Sequence, residues 1–133
     1  WPQQQDPNID DENLNSLIFK IQDHGVSVLI TGDITEEGEK ALVEKYKGTD
    51  TLKSDILKVA HHGSPYSTSD LFLDAVKPSV AVISVGKNNY GHPSNVVIEK
   101  LRKKGIMVFR TDQSGAVGII NRKGKISVCT KNQ

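Results

Sequence analysis

Two adjacent histidines, His61 and His62, close the strand-like run Ile56-Leu57-Lys58-Val59-Ala60 and are followed at once by Gly63 and Ser64. Imidazole is the commonest biological metal ligand and titrates nearest neutrality. Neighbouring residues on a strand point to opposite faces, so both rings share a site only where the chain leaves the strand. Gly63 tolerates the backbone angles such a departure needs. For the dipeptide alone, a pair of surface-loop histidines is the plain alternative. Two other segments end in the same way. Val28-Leu29-Ile30-Thr31-Gly32-Asp33 delivers a carboxylate, and Val82-Ile83-Ser84-Val85-Gly86 leads into Asn89-Tyr90-Gly91-His92-Pro93. Asp with His suits zinc or manganese, and one Asp can bridge two ions through its two oxygens. Taken singly, Asp33 could cap a helix, His92 could serve Pro93 structurally, Tyr90 could pack, and Ser64 could be an ordinary loop residue. Three apolar runs that each end in such a residue point to one site.

The elements that must position these groups follow from pattern. Leu17 to Ile21 and Val26 to Ile30 are β-rich runs around Gln22-Asp23-His24-Gly25, a hairpin signal in which His24 decorates the turn. Thr35 is placed to cap a helix through about residue 47, with Glu36, Glu37 and Glu39 in its first turn. After the strand at 55–60, Ser67 and Asp70 have capping-box-like spacing for a helix that Pro78 stops. Val80 to Val85 is an apolar, β-branched run of the kind buried on both faces. Ser94 caps a helix to about Lys104 with Gly105 after its end, and Val97, Ile98 and Leu101 face the core with the lysines outward. Strands at 106–110, 116–120 and 126–129 complete the set. The order β-β-α-β-α-β-α-β-β-β describes a layered α/β arrangement, whose active sites gather at strand ends.

Composition narrows the class. The chain of 133 residues is long enough for one core. Its single cysteine, Cys129, excludes an internal disulfide and a cysteine-based zinc site. No stretch approaches the roughly 18 apolar residues of a membrane span. A start at Trp1-Pro2 suggests a piece of something longer, with residues 1–13 a polar lead-in and 14–133 a partial domain. The net charge of +1 hides an asymmetry: 7 basic and 14 acidic side chains up to residue 85, against 10 and 2 beyond it. A basic half attracts phosphates, so Lys87, Lys100, Arg102, Lys103, Lys104 and Arg110 are the expected contacts for nucleic acid.

The motifs Thr31-Gly32-Asp33, Leu57-Lys58-Val59-Ala60-His61-His62-Gly63-Ser64, Ala81 to Gly86, Asn89-Tyr90-Gly91-His92-Pro93 and Arg110-Thr111-Asp112 resemble the second half of a metallo-β-lactamase fold. Within that superfamily they are most similar to the C-terminal domain of the ComEC family of bacterial DNA-uptake channel proteins. The resemblance runs from about residue 14 to about residue 120. It implies an α/β half of an αββα sandwich, a mixed sheet with flanking helices. It implies a metal-dependent hydrolase, a phosphodiesterase or nuclease acting on DNA in competence. Other hydrolases of small phosphoesters or lactones, and a non-catalytic half-domain that binds a partner, are the alternatives.

By the same resemblance Asp33 and His62 are metal ligands, His62 matching better than its neighbour, for two ions of zinc or manganese in the complete domain. His61 would contact phosphate or orient its neighbour, and His92 would protonate the leaving oxygen. Ser64, Asn89 and Tyr90 are candidate substrate contacts. The superfamily takes most of its ligands from a His-x-His-x-Asp-His motif and a further His, and none of these is in the sequence. The fragment alone is therefore expected to be inactive and to bind metal weakly or not at all. Its implied partners are DNA, the missing N-terminal half of the domain, and the membrane channel portion of an inner-membrane protein, of which it would be a soluble domain.

Overall fold

The computed structural model describes residues 15–131. The lead-in expected over 1–13 lies outside them. Strands β1 (Phe19–Asp23) and β2 (Val26–Ile30) form an antiparallel hairpin. His24 and Gly25 turn it with φ of 42° and 81°, the left-handed pair that a two-residue hairpin turn demands. Strands β3 (Ile56–Lys58), β4 (Val80–Ile83) and β5 (Met107–Arg110) follow in parallel, giving one mixed five-stranded sheet in the order β1-β2-β3-β4-β5. Helices α1 (Glu36–Lys45), α2 (Asp70–Val76) and α3 (Asn95–Lys103) make the crossovers between the parallel strands. A short helix α4 (Thr111–Ser114) precedes β6 (Val117–Arg122) and β7 (Lys125–Thr130), which pair only with each other.

The alternation of side chains along each strand divides the core in two. Leu29, Leu57, Ala81 and Ile83 point to one face and meet Leu42 of α1, Phe72, Leu73 and Val76 of α2, and Val97, Ile98 and Leu101 of α3. Burying each such side chain stabilises the fold by about 1.5–3 kcal/mol. On the other face Val26, Ile56 and Val80, with Val28, Val82 and Phe109, meet Ile119, Ile126 and Val128 of the β6–β7 hairpin. Asn121 fastens that hairpin to the first one by donating to the Asp23 carbonyl at 2.7 Å.

The strands at 55–60 and 80–85 prove shorter than the apolar runs that announce them. Beyond β3 the chain tightens into a 3-10 turn (Ala60–Gly63), and beyond β4 it opens into a loop. Neither this turn nor α4 was expected. Ser94 caps α3 by accepting from the Val97 N–H. In α2 the cap is Ser69, not Ser67. The buried Glu39 carboxylate accepts from the Thr68 and Ser69 N–H groups at 2.6 and 2.8 Å, which delays the helix start. Ser67 instead donates to the carbonyls of Ala60 and Ser64. Thr35 precedes α1 but makes no side-chain cap bond.

Candidate active site

Because β2, β3 and β4 are parallel neighbours, their C-terminal ends share one edge, and the three ligand-bearing segments leave the sheet together. Backbone and side-chain bonds lock them: Thr31 Oγ1 donates to the Lys58 carbonyl at 2.8 Å, the His61 N–H to the Gly32 carbonyl at 3.2 Å, and the Ser94 N–H to the Gly63 carbonyl at 2.9 Å. His61 and His62 both adopt left-handed backbone, with φ of 47° and 53°. That conformation costs a non-glycine residue roughly 1–2 kcal/mol, and such strain concentrates at functional sites. Gly63 has φ +82°, and a Cβ there would stand 2.6 Å from Pro93 Cβ. Only glycine lets the histidine turn close against the loop carrying His92.

The two imidazoles have different surroundings. His62 Nδ1 lies 2.6 Å from the Ser84 carbonyl. A carbonyl only accepts, so Nδ1 carries a proton and Nε2 is the nitrogen left to bind a metal. Nε2 faces Asp33 Oδ2 at 3.8 Å, beyond hydrogen-bond range. Two donors at that separation fit around one ion whose nitrogen and oxygen ligands lie about 2.0–2.2 Å away. An imidazole oriented through its other nitrogen by a backbone carbonyl is the usual arrangement of a metal-binding histidine. Asp33 and His62 would supply two donors of this kind; among the described residues no group of three His, Cys, Asp or Glu side chains is set to hold a metal.

His61 turns the other way, its ring edge-on to that of His92 with centroids 5.7 Å apart. Nδ1 of each is buried without a hydrogen-bond partner among the described residues. Burial, then the nearby His61 and His62, hold the His92 pKa below the ordinary imidazole value, which keeps its ring neutral at pH 7. Tyr90 stacks on His92 at 6.1 Å and is otherwise exposed. His62, Val85, Lys87, Asn88, Tyr90 and His92 line a cleft of about 220 Å³. Of the candidate substrate contacts, Tyr90 is on this cleft, Asn89 is exposed on the same loop, and Ser64 is buried with its hydroxyl accepting from the Tyr66 N–H.

Sequence reasoning missed the residues that hold the site in shape. Asn88, not Asn89, braces the loop: its amide donates to the Gly86 and His92 carbonyls and its oxygen accepts from the Tyr90 and His92 N–H groups. Thr111 clamps the exit of β4 by accepting from the Val85 N–H and donating to the Val85 carbonyl. Lys58 donates to the Gly32 carbonyl at 3.1 Å and lies 3.8 Å from Asp33 Oδ1. Burial lowers its pKa against the opposing pull of Asp33. For Lys58 the signal available was its position inside an apolar run, just before the His-His motif.

The cations Lys87, Arg102, Lys103 and Lys104 of the basic half are exposed as expected, but several basic groups have partners. Lys100 donates to the Thr68 carbonyl, Lys104 pairs with Asp70 and Asp74, and Arg110 makes a two-pronged bond to Asp112. Acidic and carbonyl groups of the neighbouring α2 segment and of α4 take up these cations. Lys87, Arg102 and Lys103 have no ion pair among the described residues.

No protein-family model matches the chain. Curated proteins do. It is 39% identical over 125 residues to ComE operon protein 3 of Bacillus subtilis, covering 92% of this chain and 16% of that protein. It is 45% identical over 111 residues to competence protein ComA of Neisseria gonorrhoeae, again 16% of the relative, and 37% identical over 110 residues to recombination protein 2 of Haemophilus influenzae. The chain thus spans about a sixth of the length of the curated relatives it matches. Over most of its own length, it is homologous to one segment of bacterial competence proteins.

Proposed function

We propose that the chain is part of a metal-dependent hydrolase of the metallo-β-lactamase type that cuts DNA phosphodiesters during uptake. In that reading it forms the second half of the domain, attached to a membrane channel of the inner membrane. The observation that carries the reading is His62 Nε2 facing Asp33 Oδ2 at 3.8 Å with its ring fixed by the Ser84 carbonyl. Asp33 and His62 would hold zinc or manganese, which when bound supplies a hydroxide near neutral pH. His61 and His92 border the same corner, where a neutral His92 would donate a hydrogen bond to a leaving oxygen and would protonate it only from its imidazolium form. Phe19 and Ile21 remain 43% and 49% exposed on the sheet face away from the helices, which supports cover by a preceding half of the domain. Among the described residues no helix is long and apolar enough to cross a membrane, so the channel would lie elsewhere in the longer protein.

The test is manganese-dependent cleavage of labelled DNA by the longer protein, beside a small phosphodiester and a lactone. Asp33→Asn and His62→Ala are each expected to lower DNA cleavage by at least about a hundredfold, since each removes a ligand. DNA cleavage that survives both substitutions in folded protein rejects the reading.

A further inference from the structure

Tyr90 is 84% exposed, more than any other large hydrophobic residue among those described. Exposure alone is ordinary for a single side chain; the surroundings of this one are not. The ring stacks on His92, with centroids 6.1 Å apart and planes inclined by 24°. Its backbone N–H donates to Asn88 Oδ1 at 3.1 Å, so the ring is presented from a braced loop. His92 in turn meets His61 edge-on at 5.7 Å, and a run of three rings reaches from the exposed rim to the histidine turn. Lys87 is exposed on the same cleft, without an ion pair among the described residues. The cleft holds about 220 Å³, below the roughly 300 Å³ at which small-molecule pockets begin. It has room for a ring system rather than a whole ligand. An open aromatic face beside an unpaired cation is how proteins hold single strands, the base stacked on the ring and the backbone phosphate near the charge. We infer that Tyr90 is a stacking platform for one unpaired nucleobase, with Lys87 taking the adjoining phosphate. The site then accepts single-stranded DNA or a frayed end and not closed duplex, whose stacked bases have no face to offer. This rests on the DNA reading above and narrows it.

The test measures binding by the 133-residue chain in EDTA at low salt. Its probes are labelled oligothymidine, an abasic strand of the same length, and a closed dumbbell duplex. Wild type is expected to hold oligothymidine about tenfold tighter than the abasic strand. Tyr90→Ala should bind the two alike, while Tyr90→Phe, which keeps the aromatic face, should retain the preference. Lys87→Ala should weaken both strands equally and make their binding less salt-dependent. Dumbbell binding should be the same in wild type and both Tyr90 variants. Unlabelled dTMP, a base without a chain, should compete only at about a hundredfold higher concentration than unlabelled oligothymidine. The inference is overturned if wild type shows no base preference or no binding, if the preference survives Tyr90→Ala, or if dTMP competes as well as the strand. The hydrolase reading is judged apart from this, by the cleavage assay on the longer protein with Asp33→Asn, so either can fail while the other stands.

Discussion

The two faces of the central sheet are built to different standards. On one, three helices bury a continuous set of aliphatic and aromatic side chains, from Leu42 to Leu101. On the other, a single hairpin covers a short row through Ile119, Ile126 and Val128, and the apolar side of β1 stays open. Sheets of parallel strands ordinarily have both faces covered. The difference teaches that folding strength and site chemistry come from separate layers. The helix layer fixes the strands, while the thinner side carries Lys58 and the uncovered strip.

Truncating the helix layer should cost most. Phe72, 1% exposed, is expected to lose about 3–5 kcal/mol as Phe72→Ala, read as a lowered urea midpoint with unchanged slope. Ile119→Ala in the half-buried hairpin should cost only about 1–2 kcal/mol. Equal losses at the two positions would remove the contrast. The smallest effect sharpens it at the strand ends. The two-pronged bond from Arg110 holds the Asp112 carboxyl below the usual aspartate range. A carboxylate with a depressed folded pKa adds stability above its unfolded value, near pH 4, and loses it as pH falls through the folded one. Arg110→Ala should therefore lower stability at pH 7 by under about 1 kcal/mol, a difference that fades as the pH falls below about 4.

What was legible in the sequence follows from how far each signal reaches. Asp33 and His62 stand out because an apolar run must end for a polar side chain to follow it, and the parallel order then brings those ends together. The hairpin at His24-Gly25 and the Ser94 cap are equally local. Ser67 was misread because the spacing to Asp70 is visible, whereas the carboxylate that delays the helix comes from Glu39, some thirty residues earlier. The bond from His62 to Ser84 uses a backbone carbonyl, which every residue has and no pattern marks. The partners of the outward lysines of α3 were hidden for a similar reason, since helical periodicity gives a direction but not the Asp74 or the Thr68 carbonyl waiting there. Asn88 and Asn89 are neighbours of the same type, and only the fold of the loop chooses between them.

The Asn88 brace has a kinetic consequence. With one side chain closing four bonds across residues 86–92, the wall of the cleft that bears Tyr90 and His92 is finished before anything enters. An incoming molecule has no segment to order, so its capture is set by encounter and orientation rather than by a closing motion. Loosening that one amide would convert a rigid rim into one that each visitor must first assemble.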